Sequence, residues 1–215
     1  MKQPTGPVFD AKAIRPEGDG DGALMNSDFE PEHRDSWFYL WKFTRQPSSF
    51  AFLDDTTAAS GKQSWRVEYV PYETLKDITA LPLSAKDSDS TLSTHLSPAW
   101  WEIAKYPFFR FSYRIPKGVP VGITVYCDSR SAVPGPGSVF VAETPGFKVP
   151  ENYAQQPLLK LVDDDQWHTA EIDFRELQKL MPEQRCIYKL RFWAGGPNGK
   201  PGAKYWLDDV SIKAK

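Results

Sequence analysis

The chain is poor in the residues that build metal and thiol centres. It holds two cysteines and three histidines among 215 residues. Cys127 and Cys186 form no Cys-x-x-Cys pair, and His33, His95 and His168 are scattered. Zinc centres need closely spaced ligands, so this pattern argues against one. The two cysteines read as small buried apolar groups. A single disulfide is the alternative in an oxidising compartment. An excess of charge of one sign is also lacking: 26 basic residues face 28 acidic ones, for a formal net charge of −2. No basic footprint for nucleic acid or an anionic membrane follows from such totals. No run of about 20 apolar residues occurs, so no helix inserts into a membrane. The start, MKQPTGPVFDAKAIRPEG, has no apolar signal segment. Two settings fit that start: a cytosolic chain, or a module of a larger secreted protein. Phosphate-loop, dinucleotide and Gly-x-Ser-x-Gly motifs are missing too.

Aromatic residues are abundant instead. Eight Trp, nine Tyr and thirteen Phe make up 14% of the chain, which excludes a wholly disordered polymer. Nineteen Pro and fourteen Gly call for many turns and few long helices. The length suits one domain with tails and is enough to bury a core without disulfides.

Residues 1–25 are rich in Gly, Pro and charge, and read as a flexible N-terminal arm. Gly18–Gly22 (GDGDG) lacks the ligand spacing of a calcium loop. Residues 26–215 read as the folded domain. Ser64–Val70 (SWRVEYV) sets Trp65, Val67 and Tyr69 against Arg66 and Glu68, the period of a half-buried strand. Phe108–Ile115 (FFRFSYRI) is the clearest strand. Gly122–Asp128, Trp167–Phe174, Cys186–Ala194 and Lys204–Lys213 follow the same rule. Trp37–Thr44 and Val139–Ala142 complete the set, and Ser84–Ser97 and Gly146–Pro157 read as irregular. Phe174–Met181 is the one convincing helix, stopped by Pro182. There is no βαβ alternation and no fixed repeat. Two packed antiparallel sheets remain, a β-sandwich of jelly-roll type.

Several phrases in order resemble one family. They are Asp28-Phe29-Glu30, then Ala59–Ser64 (ASGKQS), then FFRFSYRI. Trp167-His168 leading into Ile172-Asp173-Phe174 comes next, and Tyr205–Val210 (YWLDDV) closes the set. Together they resemble the jelly-roll carbohydrate-binding modules with a galactose-binding-like fold, over about residues 27–213. The resemblance implies a structural calcium held by Asp28 or Glu30, the carbonyl of Lys62, and Asp208 or Asp209. Calcium takes six to eight hard oxygens of this kind. The alternative is that these acids are solvated or capping groups. The resemblance also implies non-catalytic binding of a polysaccharide, by a module appended to a catalytic domain in a larger secreted protein.

A sugar offers an apolar face for aromatic stacking and a rim of hydroxyls for polar groups. Two strands supply that mixture on one parity. In CIYKLRFWA, Ile187, Lys189, Arg191 and Trp193 oppose Tyr188, Leu190 and Phe192. In GITVYCDSR, Thr124, Tyr126, Asp128 and Arg130 oppose Ile123, Val125 and Cys127. If the two strands share a sheet, Tyr126, Asp128, Arg130, Arg191 and Trp193 form the expected site. Trp101 is a further candidate, since at most one of Trp100 and Trp101 is buried in extended chain. Trp65, Trp167 and Trp206 read as structural.

An enzyme on the same fold is the first alternative. A glycoside hydrolase needs two facing carboxylates. Glu171 and Asp173 share a face but lack a third member, and Asp163–Asp165 read as a solvated turn. A lyase needs an acid and base such as His168 or His95. A structural spacer without ligand is the second alternative.

Overall fold

A computed structural model describes residues 23–30, 32, 41–43, 49–69, 93–96, 101–128, 138–149, 154–195, 200 and 202–214. Period-two alternation organises most of it. In β7 (Phe108–Arg114), Phe109, Phe111 and Tyr113 are buried while Arg110 is exposed. The other strands are β1 (Ala23–Ser27), β2 (Trp41–Phe43), β3 (Ser49–Asp54), β4 (Ser64–Tyr69), β5 (Ser93–Leu96) and β6 (Trp101–Glu102). After β7 come β8 (Val121–Asp128), β9 (Ser138–Glu143), β10 (Ala154–Lys160), β11 (Trp167–Asp173), β12 (Cys186–Ala194) and β13 (Lys204–Lys213). The helix α1 (Phe174–Leu180) starts where Asp173 accepts the Arg175 N–H at 3.0 Å, an N-cap. It ends at Met181, one residue before Pro182.

The strands form two sheets packed face to face. The first runs β11–β7–β13–β4–β3, with β1 beside the second half of β13. The second runs β10–β9–β8–β12–β5–β2, with β6 beside the start of β12. This is the expected β-sandwich. One pairing departs from the antiparallel expectation: β10 lies parallel to β9. β10 is the edge of its sheet and contains Pro157, which lacks an N–H and is tolerated at an edge.

β5 falls in a stretch that reads as a loop. Its four residues gain pairing from both sides, since β12 and β2 flank it. β1 begins at Ala23, inside the stretch read as an arm. Residues 1–22 lie outside the described residues.

The core fills the space between the sheets. Phe109 stacks on Phe111 at 4.9 Å and meets Phe174 and Phe192 at 6.2 and 6.0 Å. Ile123, Val125, Leu190 and Leu207 pack in the same cluster. Burying each such side chain is worth about 1.5–3 kcal/mol, so this cluster dominates the folding energy.

Candidate functional site

The outer face of the second sheet is set by β8 and β12. Ile123, Val125 and Cys127 point into the core, as do Leu190, Phe192 and Ala194. The alternate residues therefore face outward. Tyr126 pairs with Lys189, Thr124 with Arg191, and Gly122 with Trp193. Ile187 does not join them. A register shift between Ile187 and Lys189 resets the parity and sends Ile187 into the core.

The outward side chains form a connected row. The Arg191 guanidinium lies 4.3 Å from the Trp193 ring centroid. Its Nη1 donates to the Tyr126 hydroxyl at 3.1 Å. The Lys189 ammonium sits 3.9 Å over the Tyr126 ring. Arg191 is buried, while Lys189 and Tyr126 are half-buried. Burial lowers the Lys189 pKa, and the Arg191 charge pushes the same way, with Tyr126 opposing.

Trp193 is on the expected face but is only 2% exposed. It packs on Phe140 at 5.3 Å, and Phe147 closes over Phe140 at 5.2 Å. Val149 completes this small cluster outside the main core. Gly122 makes the closure fit: a Cβ there would lie 2.6 Å from Phe147 and 2.9 Å from Phe140. As placed, Trp193 is a buried wall behind Arg191 and offers no open ring face. The signal missed in the sequence is Phe147, an apolar residue inside an irregular stretch.

The other expected contacts are spread out. Trp101 lies in the main core, 2% exposed, and pairs with Ile187. It is not on the outer face. The Asp128 backbone pairs with Cys186, and its side chain lies outside what is described. Arg130 lies outside the described residues. Cys127 and Cys186 are both buried and form no disulfide, on diagonal positions of β8 and β12. Burial, with Cys186 nearby, pushes the Cys127 thiol up to about 12, which keeps it protonated and unreactive.

The acids tied to calcium gather at one corner of the first sheet. Glu30 accepts the Lys62 and Gln63 N–H groups at 2.6 and 3.0 Å. Asp208 accepts those of Ala59 and Ser60 at 2.7 and 3.2 Å, and that of Asp209 at 2.9 Å. Asp209 accepts the Ser60 hydroxyl at 2.7 Å, and Asp28 accepts the Glu30 N–H at 3.2 Å. Burial pushes the Asp208 carboxyl up to about 6 against its N–H bonds. Phe29 and Asp209 both hold positive φ, at 57° and 47°. Such backbone costs on the order of 1–3 kcal/mol per residue and persists where the surroundings fix it. Among the described residues, no three His, Cys, Asp or Glu side chains are grouped to hold a metal ion. As placed, the acids clamp the loop before β4 through its N–H groups. A cation here would depend on carbonyl oxygens such as that of Lys62.

The outer face of the first sheet carries a second polar network. Asp54 accepts from Arg66 Nη1 and Trp206 Nε1, each at 2.9 Å. Arg114 lies over Trp206 at 5.4 Å and bonds Asp165 at 2.9 Å. Trp167 Nε1 and Arg114 Nη1 both donate to the Thr57 hydroxyl, at 3.2 and 3.1 Å. Two of the candidates for catalysis, His168 and Asp173, have other partners. His168 bonds Asp164 at 2.8 Å, and Asp173 binds Arg175 while capping α1. Neither pair gives two carboxylates facing across a gap.

No protein-family model matches the chain, and no curated protein matches it in sequence. Solved structures of similar architecture exist. The C-terminal family 22 carbohydrate-binding module of Clostridium thermocellum Xyn10B shares 11% identity at TM-score 0.48. That likeness covers 92% of this chain and 98% of the other. The family 11 carbohydrate-binding module of the C. thermocellum cellulase Lic26A-Cel5E shares 10% identity at TM-score 0.42, over 80% and 85% of the two chains. The Endo-D glycoside hydrolase domain of Streptococcus pneumoniae R6 shares 15% identity at TM-score 0.43. There the match covers 81% of this chain but only 22% of the other.

Proposed function

We propose that this protein is a non-catalytic carbohydrate-binding module. Its sugar lies against the outer face of the second sheet, at Tyr126, Lys189 and Arg191. The observation that carries this is the Arg191–Tyr126 bond on a packed aromatic wall. It holds a fork of N–H donors in place before any ligand arrives, which lowers the ordering cost of binding. Asp128, the last residue of β8, and Arg130, two residues further along the sequence, are kept as proposed contacts. The module works as an appended part of a larger extracellular protein. A structural calcium at the Glu30–Asp208 corner is the accompanying proposal, supported by three distant segments meeting there.

The test is affinity electrophoresis against a panel of polysaccharides, with and without a calcium chelator, while reducing ends and unsaturated products are assayed. Retardation by a glycan without new products is expected. Arg191→Ala weakens it by about tenfold or more, the loss of a charge-assisted contact. Product release would move the protein to the enzyme class. No retardation by any glycan would favour a spacer. A chelator that leaves both retardation and the melting temperature unchanged would remove calcium.

A further inference from the structure

Resting on the binding reading above, we propose that Phe147 is a positioning residue of the sugar site. It touches no sugar itself and sets the aim of the Arg191 guanidinium through Phe140 and Trp193. The first ground is where its ring lies. Gly122 sits in the outward row of β8, paired with Trp193 on one side and Glu143 on the other. It brings no side chain to that row. Phe147 supplies one from another segment, its ring tip lying 2.6 Å from where a Gly122 Cβ would be.

The second ground is that the ring is held there. Phe147 is buried, although Pro145, Gly146 and Lys148 beside it are exposed. Gly146 has a φ of 84°, a conformation open to glycine, and lets the chain turn back onto the sheet. Thr144 anchors the turn. Its N–H donates to the Val121 carbonyl at 2.9 Å, and its carbonyl accepts the Phe147 N–H at 3.2 Å. Its buried hydroxyl accepts the Val121 N–H at 2.8 Å.

The third ground is the direction of the packing. Phe140, Phe147, Trp193 and Val149 form a cluster apart from the core between the sheets. From Phe147 the contacts run to Phe140 at 5.2 Å, on to Trp193 at 5.3 Å, and then to Arg191 at 4.3 Å. Arg191 ends the series by bonding the Tyr126 hydroxyl. A long side chain binds best when its rotamer is fixed beforehand. Close-packed rings feel the loss of a neighbour, so a void at Phe147 loosens Trp193 and the guanidinium stacked on it.

Affinity electrophoresis in xylan, mixed-linkage β-glucan and polygalacturonate gels compares the full chain with Phe147→Ala, Arg191→Lys and the double variant. Arg191→Lys keeps the charge and removes the planar fork that stacks. Phe147→Ala is expected to weaken retardation about fivefold in the parent chain and less than about twofold in Arg191→Lys, because residues acting through one another are not additive. A merely structural role would give the same loss in both. Phe147→Leu refills the space on Gly122 and restores most of the retardation. Melting curves confirm that the variants fold. Should Phe147→Ala fail to fold, Thr144→Val releases the turn with every ring retained and is compared in the same two backgrounds. An equal loss in both backgrounds, or no loss in the parent chain, would overturn the inference and leave the binding reading standing. Stronger retardation of Phe147→Ala would also overturn it, making Phe147 a cover over the site. No retardation of the full chain in any gel would overturn both.

Discussion

Asp54 is a carboxylate with little water around it, 4% exposed. Burial alone would raise its pKa. Bonds from Thr56, Trp206 and Arg66 outweigh that and hold it well below the usual carboxylate range. The sign for stability follows from proton linkage. With the folded pKa depressed, the contribution is complete above the unfolded value of about 3.9 and is lost as pH falls below it. In that window the unfolded chain takes up a proton that the folded chain refuses. The urea midpoint of the protein should therefore fall from pH 6 to about pH 3, and more steeply than in Asp54→Asn. Using the difference between the two proteins cancels other carboxylates with lowered values, such as Asp164 and Asp173. Equal slopes would mean that the Arg66–Trp206 network does not hold the charge. The same residues show why tryptophans without a stacking role still matter: Trp206 donates to a buried carboxylate and carries Arg114 on its ring.

At the scale of elements, β8, β9 and the turn after β9 form one packed unit. Phe147 reaches Phe140 and Gly122 because the turn is pinned by Thr144. The Thr144 carbonyl accepts the Phe147 N–H at 3.2 Å, and its hydroxyl accepts the Val121 N–H at 2.8 Å. Gly122→Ala should push Phe147 outward, at a cost of about 1–3 kcal/mol from overpacking. The check is Trp193 exposure: quenching of tryptophan fluorescence by acrylamide should rise along with the fall in melting temperature. No change in either would mean that the turn yields without loss. This unit also marks the limit of what the sequence discloses. β7, β8, β12 and β13 are legible because apolar residues recur along each at strand spacing and enter the core. β5 and β6 are not, because they are short and gain their pairing from β12. The parity of Tyr126, Arg191 and Trp193 could be read in advance, but the cover over Trp193 could not. It depends on Phe147 meeting a glycine 25 residues earlier in the chain. Ile187 misleads for a similar reason, since a register shift has no signature in composition.

On the scale of the whole molecule, the two ends of the described chain meet at one loop. β1 lies along the last part of β13, and β4 along its first part. Glu30, following β1, and Asp208, within β13, grip the backbone of residues 59–63 from two sides. Gly61 is the keystone of that grip. Its φ is +60°, and a Cβ there would collide with the Glu30 carboxylate. Gly61→Ala therefore faces two penalties, a left-handed backbone and a displaced carboxylate. The backbone penalty alone is about 1 kcal/mol. Displacing Glu30 also leaves the N–H groups of Lys62 and Gln63 without their acceptor, which costs more than a surface bond. Since the loop joins β1, β4 and β13, the loss should appear in global unfolding and not as local fraying. Melting followed by far-ultraviolet circular dichroism and by tryptophan fluorescence should shift down together in Gly61→Ala. A shift in one signal alone would mean that the corner opens separately from the sandwich. In that case the clamp would fix a loop without tying the ends of the fold. An unchanged midpoint in both would mean that Glu30 adjusts freely, and that the corner contributes little to folding.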